Sequence, residues 1–338
     1  MEIPAEGSPV HTRVLAVGVD QGGPGEVLAS GHLLDLRKRG LVAMAGQLQT
    51  AGVIHDMKVR AAVDVAGPSI TRMDAQQDSV AFEATPATGG ECCRDPIRRI
   101  EALKGAPLDA LVPRRLSEAI GGVRGCSHLL TLAQLLCSTT ATGLAHDRAR
   151  HGGLPERRPG QRLYDRSLVL DAGLGDGVLF AGIQLADVHF EPAAEDADAI
   201  DQLASHHEVR IHAEVALDSM TLRAVRAGER RNSAEAAGEW ADRGATLAPL
   251  VGQGALAGMA AALFELLSER EPDRPLLDAL LNLAPLLIQS MAALLDRSQT
   301  GGMGSAMQSS SGYRGGSCYM TRPDGPMLRD TRPRAPDA

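Results

Sequence analysis

Apolar and polar residues alternate along five stretches in the first part of the chain, and the turn QGGPG separates the first two of them. An alternation with a period of two is typical of strands that bury one face. The predicted strands span residues 14–20, 26–36, 42–49, 57–65 and 69–77. The first part of the chain is therefore predicted to be β-structure.

The spacing of apolar residues then changes and predicts helices at residues 95–105, 112–122 and 127–144. In the first helix Ile97, Ile100 and Leu103 recur at three-residue spacing, and Gly105 is placed to cap its end. The third helix is apolar on nearly all sides, so it should be buried. Strands followed by helices favour the α+β class, an antiparallel sheet covered by packed helices.

The chain also repeats itself. The segment LLTLAQLLCSTTA (129–141) matches LLNLAPLLIQSMA (280–292) without a gap, and shorter matches keep an offset of about 150 residues. We therefore expect two tandem copies that pair, sheet to sheet or helix to helix, as a pseudo-dimer. The predicted organisation is a first copy at 11–148, a polar linker at 149–163, a degenerate second copy at 164–328 and a disordered tail at 329–338. Within the second copy we expect a flexible loop at 301–316 and a last short strand at 317–322.

The composition narrows the classes of protein. The chain has 338 residues, of which 44% are apolar, and its net charge is −8. A nucleic-acid partner is not expected, because it would require a basic surface. A membrane partner is not expected either, since no run of eighteen apolar residues occurs and the N-terminus lacks the pattern of a signal peptide. We expect a cytoplasmic bacterial protein that acts on a small molecule. The sequence leaves open whether the chain forms a homodimer.

Five cysteines without disulfide-framework spacing are the first candidates for chemistry. Cys93 and Cys126 each precede a predicted helix, whose N-terminal dipole favours the thiolate. With His128 and Cys318 they offer nitrogen and sulfur ligands, a set that suits zinc or iron. When the two copies are aligned, Cys126 corresponds to Leu277. The alternative is that the cysteines, Cys137 above all, are small buried apolar residues.

His55 and Asp56 are the candidates for acid–base catalysis. They stand together in VIHDM at the start of a predicted strand, so Asp56 is expected to orient a His55 that moves protons. Arg60 and Arg124 lie close in sequence to the candidate site residues, and we expect them to bind a carboxylate or phenolate of the substrate. The alternative is a surface histidine paired with its neighbour.

These residues also carry a resemblance. GVIHDMKVRAAVD (52–64), a cysteine before a helix that ends in LKG, and GGVRGCSHLLTLAQLL (121–136) resemble the bacterial family called domain of unknown function 2889. The likeness covers residues 28–140 well and 312–329 loosely, where YRGGSCYMTRPDGPML stands. The matching positions are His55, Asp56, Met57, Cys93 or Cys92, Cys126, His128 and Cys318. The resemblance implies catabolism of small aromatic compounds derived from plants.

A fainter likeness is to iron–sulfur scaffold proteins of the IscU/SufU type, in which cysteines also stand at helix starts after a run of strands. Three hypotheses follow. The first is a lyase-type enzyme that acts on a lignin-derived aromatic compound, with His55 and Asp56 as catalytic residues and no certain cofactor. The second is a non-catalytic carrier of zinc, iron or an iron–sulfur cluster. The third is a structural pseudo-dimer whose cysteines are buried.

Overall fold

The structure of the chain is a computed structural model. It describes residues 6–44, 47–194, 197–198, 200–233, 235–256, 258–269, 273–292 and 316–329. Within these residues the protein is α+β, with a large antiparallel sheet, as the sequence predicts. Among the helices that are described, none combines the length and apolarity needed to cross a membrane.

The strands are β1 (Ser8–Gln21), β2 (Glu26–Arg37), β3 (Val42–Met44), β4 (Gln47–Gln49), β5 (Gly52–Asp64), β6 (Ser69–Ser79), β7 (Arg162–Gly175), β8 (Val178–Phe190), β9 (Leu203–Ala216), β10 (Leu222–Asn232) and β11 (Ala241–Asp242). Nine of them form one sheet in the order β11-β10-β9-β8-β7-β1-β2-β5-β6. The stretch 42–49, predicted as one strand, is the separate hairpin β3-β4.

The two halves of the sheet meet where β1 pairs antiparallel with β7. In this pair Arg13 lies opposite Leu170, and Val17 lies opposite Arg166. The four strands β1, β2, β5 and β6 thus continue directly into β7 to β10. The halves are joined along their strand edges, so β1 and β7 each satisfy backbone groups that would otherwise lie at an open edge.

The helices are α1 (Val112–Ile120), α2 (Ser127–His151), α3 (Gly244–Leu247), α4 (Met259–Leu267), α5 (Arg274–Leu280), α6 (Leu283–Ala292) and α7 (Pro326–Arg329). The helix predicted at 95–105 is a 3₁₀ helix, Ile97–Leu103. Its three-residue apolar spacing suits three residues per turn, which places Ile100 and Leu103 together in the core. Helix α2 continues to His151, so the first residues of the expected linker are helical.

The strand predicted at 317–322 is instead a 3₁₀ turn, Tyr319–Thr321. The chain turns because the backbone N–H of Cys318 donates to the hydroxyl of Thr321, at 3.2 Å. Most of the loop expected at 301–316 and of the tail expected at 329–338 lies outside the described residues.

Helix α2 packs across the centre of the sheet. A methyl group added at Gly31 of β2 would lie 3.1 Å from Leu132 Cδ1, and one added at Gly143 would lie 2.7 Å from Leu163 Cδ2. Glycine at these positions therefore lets α2 lie close to both halves of the sheet. The helix is buried along most of its circumference, as its apolar pattern predicts.

Candidate functional site

The carboxylate of Asp35 is the centre of a buried polar cluster on the helix-covered face of the sheet. Its side chain is fully buried. Oδ1 accepts a hydrogen bond from His11 Nε2 at 3.0 Å. Oδ2 accepts from an Arg13 guanidinium nitrogen at 2.9 Å and from His55 Nδ1 at 3.2 Å. One carboxylate thus gathers three nitrogen donors where water is excluded.

The register of three neighbouring strands brings these residues together. Asp35 of β2 pairs with His55 of β5 across one edge and with Arg13 of β1 across the other. Directly opposed residues of an antiparallel sheet project to the same face. His11 lies two residues before Arg13 and therefore shares that face. Polar residues at positions that face the core thus create the site.

The helices close the cluster from above. His128, in the first turn of α2, places its ring centroid 3.9 Å from that of His55 and its Nε2 3.5 Å from Asp35 Oδ2. The amide nitrogen of Gln289 in α6 donates to His128 Nε2 at 3.2 Å. Asn282, between α5 and α6, accepts from Arg13 Nε at 3.2 Å. We call His11, Arg13, Asp35, His55 and His128 the Asp35 cluster.

The charges in the Asp35 cluster are fixed by its surroundings. Burial raises the pKa of Asp35, but the charge of Arg13 and the hydrogen bonds from His11 and His55 outweigh burial and hold it well below its usual range. Burial lowers the pKa of His11, and burial together with nearby His55 lowers that of His128 well below normal. The ground state therefore holds an ionised Asp35 beside neutral His11 and His128.

The ionised carboxylate also fixes the tautomer of His55. A carboxylate only accepts hydrogen bonds, so the Nδ1 that contacts Asp35 must carry the hydrogen. In a neutral imidazole the other nitrogen, Nε2, is then the acceptor. His55 thereby has the arrangement of a general base whose orientation is fixed by a buried carboxylate.

We expect the protein to lose stability as the pH falls from 7 to 5. Unfolded imidazoles take up protons near pH 6.5, whereas the lowered pKa values keep His11 and His128 neutral in the folded state. The unfolded chain then binds more protons, which disfavours folding by up to about 1.4 kcal/mol per pH unit and histidine. Asp35 adds to this loss only at more acidic pH, because its folded pKa lies below that of the unfolded chain.

Urea unfolding at pH 7, 6 and 5 measures this loss. The His128→Gln variant should lose less free energy of unfolding per pH unit than the wild-type chain. A free energy of unfolding that stays constant or rises over this range would show that these histidines are not held neutral.

The structure separates the predicted pair His55 and Asp56. Consecutive residues of a strand point to opposite faces, so His55 faces the helices and Asp56 faces outward. Asp56 is part-exposed and accepts from His32 Nε2 at 2.7 Å. The carboxylate that contacts His55 is Asp35. Arg60 is exposed on the same outward face as Asp56.

Arg124 is also exposed and lies in the 3₁₀ turn before α2, where its guanidinium reaches the carbonyl of Ser117 at 3.5 Å. No contact of Arg60 or Arg124 with the Asp35 cluster occurs among the described residues.

Three of the predicted thiols come together near the start of α2. Cys126 is buried, with its Sγ 3.9 Å from His128 Nδ1. Cys93 and Cys318 pack in one small apolar group. Burial raises the pKa of Cys126 to about 11, and burial with nearby Cys126 and Cys318 raises that of Cys93 well above normal. Burial thus outweighs the helix dipole, and these two thiols are protonated at neutral pH instead of the expected thiolates.

The other two cysteines lie apart from this group. Cys92 donates from its Sγ to Asp95 at 3.1 Å, so Cys93 and not Cys92 is the one that faces the other thiols. Cys137 is buried inside α2, and burial raises its pKa to about 12, as befits a core residue.

The residues placed to bind a metal ion differ from the cysteine-containing set that the sequence predicts. Among the described residues, Asp35, His55 and His128 are the group whose ligand atoms all lie within 4.8 Å of one another. The set Cys93, Cys126, His128 and Cys318 does not meet that distance. The guanidinium of Arg13, 2.9 Å from the same Asp35 oxygen, opposes a second cation there.

Sequence reasoning missed His11, Arg13 and Asp35. A signal was available, since polar residues interrupt the apolar, core-facing positions of β1 and β2. Polar groups on a buried face need partners, and a paired set of them marks a candidate site.

The family comparison agrees with the resemblance. Residues 11–142 match the family model described as "Protein of unknown function (DUF2889)". This range begins at His11, ends within α2 and includes every member of the Asp35 cluster. No curated protein and no solved structure matches the chain significantly.

Proposed function

We propose that the protein is an enzyme that acts on a small molecule by general acid–base catalysis, with His55 as the proton acceptor. One observation carries the proposal: buried Asp35 holds His55 by Nδ1, at 3.2 Å, and leaves Nε2 as the basic nitrogen. When Nε2 takes a proton, the imidazolium lies against an ionised carboxylate, which stabilises it. Arg13 serves this function by keeping Asp35 ionised.

The reaction class that fits best is a lyase-type elimination. Such a reaction needs a base for a proton on the substrate and an acid for the leaving group, and it transfers no electrons to a cofactor. His55 Nε2 can take the proton from the substrate and, as an imidazolium held by Asp35, return it to the leaving group, so that one residue serves as both base and acid. The substrate class, a small aromatic compound derived from plant lignin, rests on the family resemblance alone.

A turnover screen tests the proposal. The purified chain is incubated in D₂O with a panel of lignin-derived phenolic compounds, each with a leaving group next to an acidic C–H or O–H bond, and products are read by NMR and mass spectrometry. We expect one class of compound to lose a fragment in the presence of the wild-type chain and to stay intact with His55→Gln. Turnover by neither protein, or equally by both, would contradict the proposal.

The second candidate function is metal binding, and the spacing of Asp35, His55 and His128 favours it. Elemental analysis of protein purified without affinity metal, alongside His55→Gln and Cys126→Ala, separates the candidates. Our account expects no stoichiometric metal in any of the three. One zinc or iron per chain that His55→Gln loses would favour a metal centre at Asp35. Loss in Cys126→Ala alone would favour the carrier with thiol ligands, the function implied by the likeness to iron–sulfur scaffolds.

We also infer that the sheet consists of two related halves that pair as a pseudo-dimer. The pairing of Arg13 with Leu170 becomes that of Arg166 with Val17 when the halves are exchanged, as a two-fold axis between β1 and β7 would require. The repeated segments 129–141 and 280–292 support the same relation. The third hypothesis, a purely structural pseudo-dimer, would make the Asp35 cluster a stabilising network only.

A further inference from the structure

The second half of the sheet contains a counterpart of the Asp35 cluster. Arg166 of β7 lies opposite Asp187 of β8, and Asp187 lies opposite His207 of β9. The strands, the face and the order of residue types repeat those of Arg13, Asp35 and His55. The sequence comparison of the two copies, which followed the cysteines, did not reveal this counterpart.

This counterpart lines a cavity. The cavity has a volume of about 180 Å³, and its wall includes Tyr164, Arg166, Asp187, His207, Arg231 and Arg274. We propose that this cavity binds a small oxyanion, a molecule that carries one carboxylate or phosphate group. The site is separate from the Asp35 cluster and does not depend on its function.

The charge of the cavity carries the proposal. Asp187 already neutralises Arg166, through Arg166 Nε to Oδ1 at 2.5 Å and NH2 to Oδ2 at 2.8 Å. Arg166 also contacts buried Asp278 behind it. Arg231 and Arg274 form no hydrogen bond or ion pair through their side chains with any residue in the described part of the chain. Two guanidinium groups without a direct ion pair among the described residues thus share one small concave surface, and the charge of Arg274 also opposes the rise that burial gives to the pKa of Asp278.

The remaining polar groups of the cavity are suited to an anion as well. Burial lowers the pKa of His207 and of His146, another wall residue, and Arg231 lowers each further, so both rings stay neutral. A neutral imidazole donates from one nitrogen without adding charge. Asp187 is the one acidic side chain of the wall, and its two oxygens are committed to Arg166.

The size of the cavity sets the class of ligand. Its volume of about 180 Å³ is below the range of about 300–1,000 Å³ common for drug-sized ligands. A planar guanidinium binds a carboxylate or phosphate with two parallel hydrogen bonds. A small oxyanion held between Arg231 and Arg274 satisfies both the size and the charge.

Isothermal titration of the full chain at constant ionic strength tests the proposal, with sodium phosphate, acetate and benzoate as separate ligands. Arg231→Gln and Arg274→Gln are the test variants. Arg223→Gln is the matched control, because Arg223 is exposed on the same strand as Arg231 and lies outside the cavity wall. We expect saturable binding of at least one anion, weakened about tenfold or more by each test variant and unchanged by the control.

Preference for phosphate over both carboxylates would identify a phosphate group, and the reverse a carboxylate. The proposal would be overturned if no anion bound saturably, if both test variants bound like wild type, or if Arg223→Gln weakened binding as much as they do. All three substitutions replace exposed or half-buried side chains, and far-UV circular dichroism confirms that each variant is folded. His55→Gln should bind the anion normally, which separates this site from the proposed acid–base centre.

Discussion

Replacing Asp35 by asparagine is expected to lower the free energy of unfolding by about 3–5 kcal/mol, the usual cost of leaving a buried charge without its partner. Arg13 is fully buried, and its other side-chain partners, Asn282 and Thr131, are neutral. The Asp35→Asn variant therefore retains a guanidinium charge with no counter-ion among the described residues. Few single substitutions in a fold of this type should cost as much.

The second half of the sheet provides the matched control. Asp187→Asn removes the equivalent carboxylate, but Arg166 keeps its ion pair with Asp278. We expect this variant to lose only about 1–3 kcal/mol, the cost of imperfectly satisfied polar groups. Urea unfolding at pH 7 measures both values, provided that the slope with denaturant is unchanged. Equal losses for the two variants would show that Asp35 is not the principal counter-charge of Arg13.

The second large effect is expected in catalysis. His55→Gln should reduce turnover of the substrate found in the screen by about 10²–10⁴-fold, the usual contribution of a general base. Glutamine keeps the size and a hydrogen-bond donor for Asp35 but cannot take up a proton. The loss should appear in kcat with little change in KM, because His55 acts on the reacting proton rather than on binding.

His32→Gln is the control for this experiment. His32 lies on β2, in the same sheet, but its side chain faces outward and pairs with Asp56 at 2.7 Å. It should leave both kcat and KM unchanged. A large loss of turnover in His32→Gln, with little loss in His55→Gln, would move the active centre to the outer face of the sheet, where Asp56 lies.

The sequence predicts most of the fold because the fold follows from periodic burial. Strands β2 and β6 and helix α1 bury apolar residues at regular spacing and begin at the predicted residues. Strand β5 begins at Gly52, five residues before its predicted start, and α2 continues past its predicted end at residue 144 to His151. Strand β1 begins at Ser8 rather than at the predicted residue 14, because His11 and Arg13 occupy core-facing positions and break the apolar pattern. His11 and Arg13, which break the apolar pattern at the start of β1, are therefore also members of the Asp35 cluster.

The rest of the site depends on contacts that one sequence does not reveal. His55 was predictable as a reactive residue type, but its partner Asp35 lies 20 positions away and reaches it only through the register of β2 and β5. Adjacency in sequence suggested Asp56 instead, although neighbouring strand residues point apart. The thiols show the same limit, since only the packed structure shows that burial outweighs the helix dipole at Cys126.

The most direct test of the central claim is the tautomer of His55, read by long-range ¹H–¹⁵N NMR at pH 8 and assigned from the signal that His55→Gln removes. We expect hydrogen on Nδ1, bonded to Asp35, and a bare Nε2 free to accept a proton. A ring protonated on Nε2, with a bare Nδ1, would contradict this claim, because Asp35 could not then orient His55 as a base.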